Sequence, residues 1–155
     1  METTLTTEST RGLSLKSRKI IFDVTVYAFI ILFIYTATSK ILTINLYTVI
    51  LSLLPLIGKY NETLAYLIPG SEVVVSLLLL IPVTKRLGLV CSLLLMTAFT
   101  IYITYMVLTN PHLPCTCGGV LQSLSWQQHI FFNLAFIFLA LIGLSVSGNR
   151  NNIQK

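Results

Sequence analysis

The amino-acid sequence predicts an all-α integral membrane protein, a four-helix bundle with four transmembrane helices and both termini cytoplasmic. Three observations carry that prediction. Of the 155 residues, 55% are hydrophobic and 10% are charged, and the mean hydropathy is +0.86, far from the balance of a water-soluble domain. Four apolar runs are each long enough to cross a bilayer, whose hydrocarbon core of roughly 30 Å needs about 20 helical residues. No run shows the two-residue alternation of a membrane β-strand, so helices, which satisfy their own backbone groups, are the spanning elements.

Residues 1–17, rich in Thr and Ser, are expected to form a short disordered tail. The transmembrane domain follows over 18–148, and a short polar tail over 149–155 ends the chain. The first span runs from Ile20 to Ser39 and is uncharged after Asp23. "RGLSLKSRK" before an apolar stretch that ends in "YTATSK" has the order of a signal peptide, but the stretch is longer than a signal core, and an uncleaved helix gives a consistent topology. "INLYTVILSLLPLIGKY" comes next, broken by Pro55 and Gly58. It is too short to cross with its neighbours and is expected to lie along the membrane surface. The second span, Thr63 to Val83, holds one charge, Glu72. The third, Leu87 to Thr109, and the fourth, Trp126 to Ser147, hold none, and His129 is their only imidazole. Ser125 and Gln128 have the spacing of a capping box, which starts the fourth helix at Trp126.

Basic residues flanking spans favour the cytoplasmic side. Arg11, Lys16, Arg18 and Lys19 precede the first span, Lys85 and Arg86 join the second to the third, and Arg150 and Lys155 follow the fourth. Lys40 and Lys59 are the only two of the ten on the other side. Both termini are therefore expected in the cytoplasm and the loop before the fourth span outside it. The net charge of +5 is explained by this topology. With no basic patch interleaved with aromatics, it argues for a lipid bilayer and against nucleic acid as partner.

That outer loop reads "PHLPCTCGGVLQSLSWQQH" into the fourth helix, with Cys115 and Cys117 one residue apart. Outside the cytoplasm disulfides form and persist. Cysteines at this spacing can be bridged, but the small ring strains the bond, and strained, exposed disulfides are the easily reduced ones. As a staple the pair is poor, because closing so short a loop removes little chain entropy. Gly118 and Gly119 leave backbone N–H groups unshielded beside the sulfurs, where they stabilise a thiolate. An incidental reduced pair and a soft-metal site, since thiolates select Cu(I) or Zn, are the other readings. No nearby acid, His or third Cys completes a metal set, so no metal is assigned.

His129 lies one turn into the fourth helix with Asn133 four residues later on the same face. An imidazole there can pass a proton during thiol exchange; the alternative is an interfacial histidine satisfied by a neighbouring helix or a lipid headgroup. Trp126 reads as an aromatic-belt anchor and His112 as a solvated loop residue. Glu72 lies inside the membrane, where a charge is costly. Lys40, at the outer end of the first helix, is the nearest opposite charge and can reach inward. A buried Lys40–Glu72 pair is one reading and a proton-handling Glu72 the other. Asp23, four residues after Lys19, is expected to form a surface pair within its helix. Cys91 reads as inert packing, and Thr97, Thr100 and Thr104 as hydroxyls that help helix packing.

A Lys closing the first helix, "PGSE" in the second and "CTCGGV" before the fourth resemble the MauE branch of the DoxX-like membrane proteins over about residues 20–147. The resemblance implies a multi-pass protein of the cytoplasmic membrane that works with redox partners, often thioredoxin-like proteins; the namesake is needed to mature the disulfide-rich small subunit of methylamine dehydrogenase. By it, Cys115 and Cys117 match the family's cysteine pair, and Lys40 and Glu72 its intramembrane charges. Pro114 stands where an acidic residue commonly precedes the first cysteine, and Gly118 where an aromatic often follows the second.

The function so predicted is that of a redox helper. Cys115 and Cys117, with His129 as proton carrier, exchange thiols and disulfides with an extracytoplasmic thioredoxin-like protein. A relay of thiols across the membrane needs a second dithiol, and only Cys91 is available. Electrons then pass to a quinone between the helices, or the protein only positions its partner. The rival readings are a small transporter or soft-metal protein using Cys115, Cys117 and Met106, and a non-catalytic structural subunit.

Overall fold

The computed structural model describes residues 15–54, 57–109 and 126–148. Five α-helices make up nearly all of it, and among the described residues there is no strand. Helix α1 spans Leu15–Leu42, α2 Ile44–Ser52, α3 Asn61–Leu80, α4 Lys85–Thr109 and α5 Trp126–Gly148, with a short 3-10 turn at Gly58–Tyr60 before α3. Among the described residues four stretches are long and apolar enough to cross a membrane: Lys16–Leu42, Gly58–Leu80, Lys85–Thr109 and Gln128–Ser147. They match the four expected spans with shifted ends. The second stops three residues short of Val83 because Ile81 precedes Pro82 and is extended (φ −78°, ψ 120°), as the clash with a following proline ring requires.

The four long helices form a ring. Helix α1 packs against α3 and α5, α4 against the same two, and α1 and α4 lie across the diagonal. Phe22, Val26, Phe29 and Phe33 recur at three- and four-residue intervals on one face of α1 and are buried; they meet Val75 and Leu79 of α3, Leu89 and Met96 of α4 and Ala140 of α5. Phe29 sits edge-on to Phe136 of α5 at 5.3 Å between centroids, a favourable aromatic geometry. Outward, α5 carries a stripe of Phe131, Leu134, Phe138 and Leu141, all exposed, as suits a surface solvated by lipid rather than water.

Close approach is set by small residues, as in other membrane bundles. A Cβ at Gly88 of α4 would lie 2.9 Å from the Leu79 backbone nitrogen of α3, and one at Gly143 of α5 would lie 3.0 Å from side-chain carbons of Leu89 and Thr25. Thr97, Thr100 and Thr104 do not bridge helices through the bonds they donate: each hydroxyl donates to the carbonyl four residues earlier, of Leu93, Met96 and Thr100. Asp23 also departs from expectation. Its carboxylate accepts from Lys85 of α4 at 3.4 Å, and the same ammonium lies 5.8 Å from the centre of the Tyr27 ring, so the pair ties two helices. Cys91 is half-buried and free, packed against the main core.

Helix α2 turns back onto the bundle. Tyr47, Ile50 and Leu51 are buried, with Tyr47 and Leu51 clustering against Ala65 of α3, while Leu46 and Val49 face outward. Asn61 donates to the Thr48 carbonyl at 3.4 Å, holding α2 against the start of α3.

Candidate functional site

The stripe that puts Phe29 and Phe33 in the core continues along α1 through Thr36 to Lys40 in its last turn. In α3 the buried face runs Ala65, Pro69, Glu72, Ser76 and Leu79. In α5, His129 and Asn133 lie on the face that continues to Phe136 and Ala140. Ring packing brings these three stripes together at one end of the bundle.

There Lys40 Nζ donates to Glu72 Oε1 at 2.5 Å. Lys40 is 5% exposed and Glu72 1%. Taking two charges out of water is expensive and is offset only by close pairing; this geometry provides it. The ammonium also lies 5.8 Å from the centre of the Phe99 ring of α4, on whose face a cation is attracted. Thr36, whose hydroxyl donates to the Phe33 carbonyl at 3.2 Å, also lies within reach of the Glu72 carboxylate, and Ser76 donates to the Glu72 carbonyl at 2.9 Å.

Beside the pair is a cavity of about 120 Å³. Lys40, Glu72, His129 and Asn133 form its polar part, and Phe99, Tyr102 and Phe132 stand among its aromatic lining. Tyr47, Ile50 and Leu51 of α2 line it as well, and Met106 closes in from the last turn of α4. Glu72 Oε2, His129 Nδ1 and Asn133 Nδ2 are buried there with no hydrogen-bond partner among the described residues. Buried polar atoms are nearly always paired, and an unpaired one costs roughly 1–3 kcal/mol. Three such atoms lie around this one cavity.

The structure thus brings together Lys40, Glu72 and His129, with Asn133 beside them. Cys115 and Cys117 lie outside the described residues, as do Pro55, His112, Pro114 and Gly118 and the tails over 1–14 and 149–155. Among the described residues no three His, Cys, Asp or Glu side chains converge as a metal would require. The wall residues Tyr47, Phe99 and Tyr102 went unmarked in the sequence. The spacing Phe99, Tyr102, Met106 repeats at three and four residues, but on a helix apolar all round that period picks out no face.

A protein-family model, Methylamine utilisation protein MauE, matches residues 18–146, most of the chain. The chain belongs to the MauE family. No curated protein and no solved structure matches it significantly. Membership and the four apolar helices agree on a multi-pass membrane protein of the MauE kind.

Proposed function

We propose that this MauE-family protein is a membrane redox helper whose Cys115–Cys117 pair exchanges disulfides with a thioredoxin-like protein outside the cytoplasm. A thiolate of one protein attacks the disulfide of the other, a mixed disulfide forms, and the second cysteine of the pair resolves it. The observation that carries this reading is the "CTCGG" motif in the segment joining α4 to α5. The two helix ends it joins border the buried Lys40–Glu72 pair and His129. In this reading His129 carries the proton of exchange and the intramembrane pair fixes the bundle end on which the loop is mounted. The family supports a cytoplasmic-membrane location, and the basic residues flanking the spans support an outward-facing loop.

The test is thiol trapping in native membranes with a membrane-impermeant alkylating reagent, before and after mild reduction. Labelling of Cys115 and Cys117 only after reduction supports an outward-facing, reducible disulfide. Labelling without reduction that bound Cu(I) or Zn blocks favours the soft-metal reading instead. No labelling under either condition overturns the topology. A C115S/C117S chain that retains full function reduces the protein to a structural subunit.

A further inference from the structure

We infer that the cavity between α1, α3, α4 and α5 is a binding site for the ring of a lipophilic quinone. It deepens the reading above by naming the electron acceptor, and only the electron transfer rests on that reading; the binding does not.

The ligand class follows from what the cavity lacks and what lines it. Asn133 Nδ2 and His129 Nδ1 are unpartnered among the described residues, and so is Glu72 Oε2. An amide nitrogen donates, a carboxylate oxygen accepts, and a neutral imidazole nitrogen does one or the other according to its tautomer. The three residues are 4%, 4% and 1% exposed, so bulk water does not satisfy them. A ligand that answers them presents a carbonyl oxygen to the amide when oxidised and a hydroxyl to the carboxylate when reduced, and the imidazole pairs with either group. The Lys40–Glu72 pair is neutral as a unit, so the site calls for no charged ligand.

Size and wall chemistry narrow the class. The volume of about 120 Å³ is somewhat below the roughly 150 Å³ of an apolar protein cavity that admits benzene, so at most one ring, and none of its tail, lies within it. Phe99, Tyr102 and Phe132 supply the faces and edges against which a flat ring packs at 4.5–7 Å between centroids. The site lies within helices whose outer surfaces are lipid-facing, so its ligand is one that partitions into the bilayer. A quinone also closes the electron balance. Two thiols that become one disulfide release two electrons and two protons, and a quinone that becomes a quinol takes up both. Cys91, a single thiol, does not.

The experiment measures retention of decylubiquinone by the purified full-length protein in phosphatidylcholine nanodiscs, read as the ultraviolet difference between the oxidised and reduced quinone after gel filtration, against empty nanodiscs. Saturable retention near one quinone per chain is expected. Asn133→Leu keeps the side-chain size, removes the unpartnered amide and leaves the ion pair intact. It should weaken binding about tenfold, which corresponds to about 1.4 kcal/mol, whereas Phe138→Leu on the lipid face should not change it. His129→Leu should weaken binding similarly. Retention no greater than that of empty nanodiscs, or equal affinity in wild type and both cavity variants, overturns the inference and leaves the cavity to water. Retention involves no thiol chemistry. A chain that binds quinone while its cysteines never cycle overturns the exchange reading alone, and the reverse result overturns this site alone.

Discussion

Removing Glu72 while leaving Lys40 is the most informative perturbation of this bundle. In Glu72→Leu an ammonium that is 5% exposed loses the carboxylate 2.5 Å away and keeps only the Phe99 face, which it already has in the native protein. Breaking a buried pair from one side costs about 3–5 kcal/mol, because the survivor is left as an uncompensated buried charge. At about 2–4 °C per kcal/mol for a chain of this size, the midpoint should fall by roughly 6–20 °C. Removing both charges is different: an apolar pair of similar volume is often neutral or stabilising, so K40M/E72L should return to within about 2 kcal/mol of wild type. Thermal unfolding of the purified protein in one detergent, followed by helical circular dichroism across the double-mutant cycle, gives the coupling directly. If E72L alone lies within about 0.5 kcal/mol of wild type, or if the double variant shows the sum of the two single losses, the pair is not a buried, mutually dependent unit and the reasoning fails.

The remaining predictions concern packing and the other charges. Gly88→Leu should destabilise by about 1–3 kcal/mol through overpacking against α3, whereas Gly70→Ala, where an added Cβ meets nothing within 4 Å, should be neutral or stabilising by up to about 1 kcal/mol; the same unfolding assay reads both. Lys85→Ala should cost no more than about 1 kcal/mol, because its pair with Asp23 is 3.4 Å long and partly exposed. Cys91→Ala should leave the alkylation pattern of Cys115 and Cys117 unchanged, a result read by mass spectrometry of labelled peptides. A changed pattern would bring Cys91 into the thiol chemistry.

Asp23 and the threonines of α4 show where local reasoning misleads. Asp23 has Lys19 at the favourable i−4 position, yet it pairs with Lys85, because α1 and α4 face each other across the ring at that end. The hydroxyls of Thr97, Thr100 and Thr104 share a face, yet each finds an acceptor within its own helix. A hydroxyl in lipid takes the nearest carbonyl, and that carbonyl is four residues back. Lys40 and Glu72, by contrast, were legible as a pair. Charge inside a bilayer is so costly that two opposite charges on neighbouring spans are drawn together.

The sequence by itself determined the membrane habit, the number of spans, their approximate ends and the family. Partitioning into lipid is a local and nearly additive property of about 20 consecutive residues, with no need of a partner. Which face of the stretches without polar side chains turns inward was decided only by the tertiary structure. A helix apolar all round has no amphipathic stripe to declare its interior. The cavity depends on packing of side chains far apart in the chain, from Tyr47 of α2 to Asn133 of α5. Its three polar atoms without a partner among the described residues form a group because several helices meet there, a geometry that no single segment encodes.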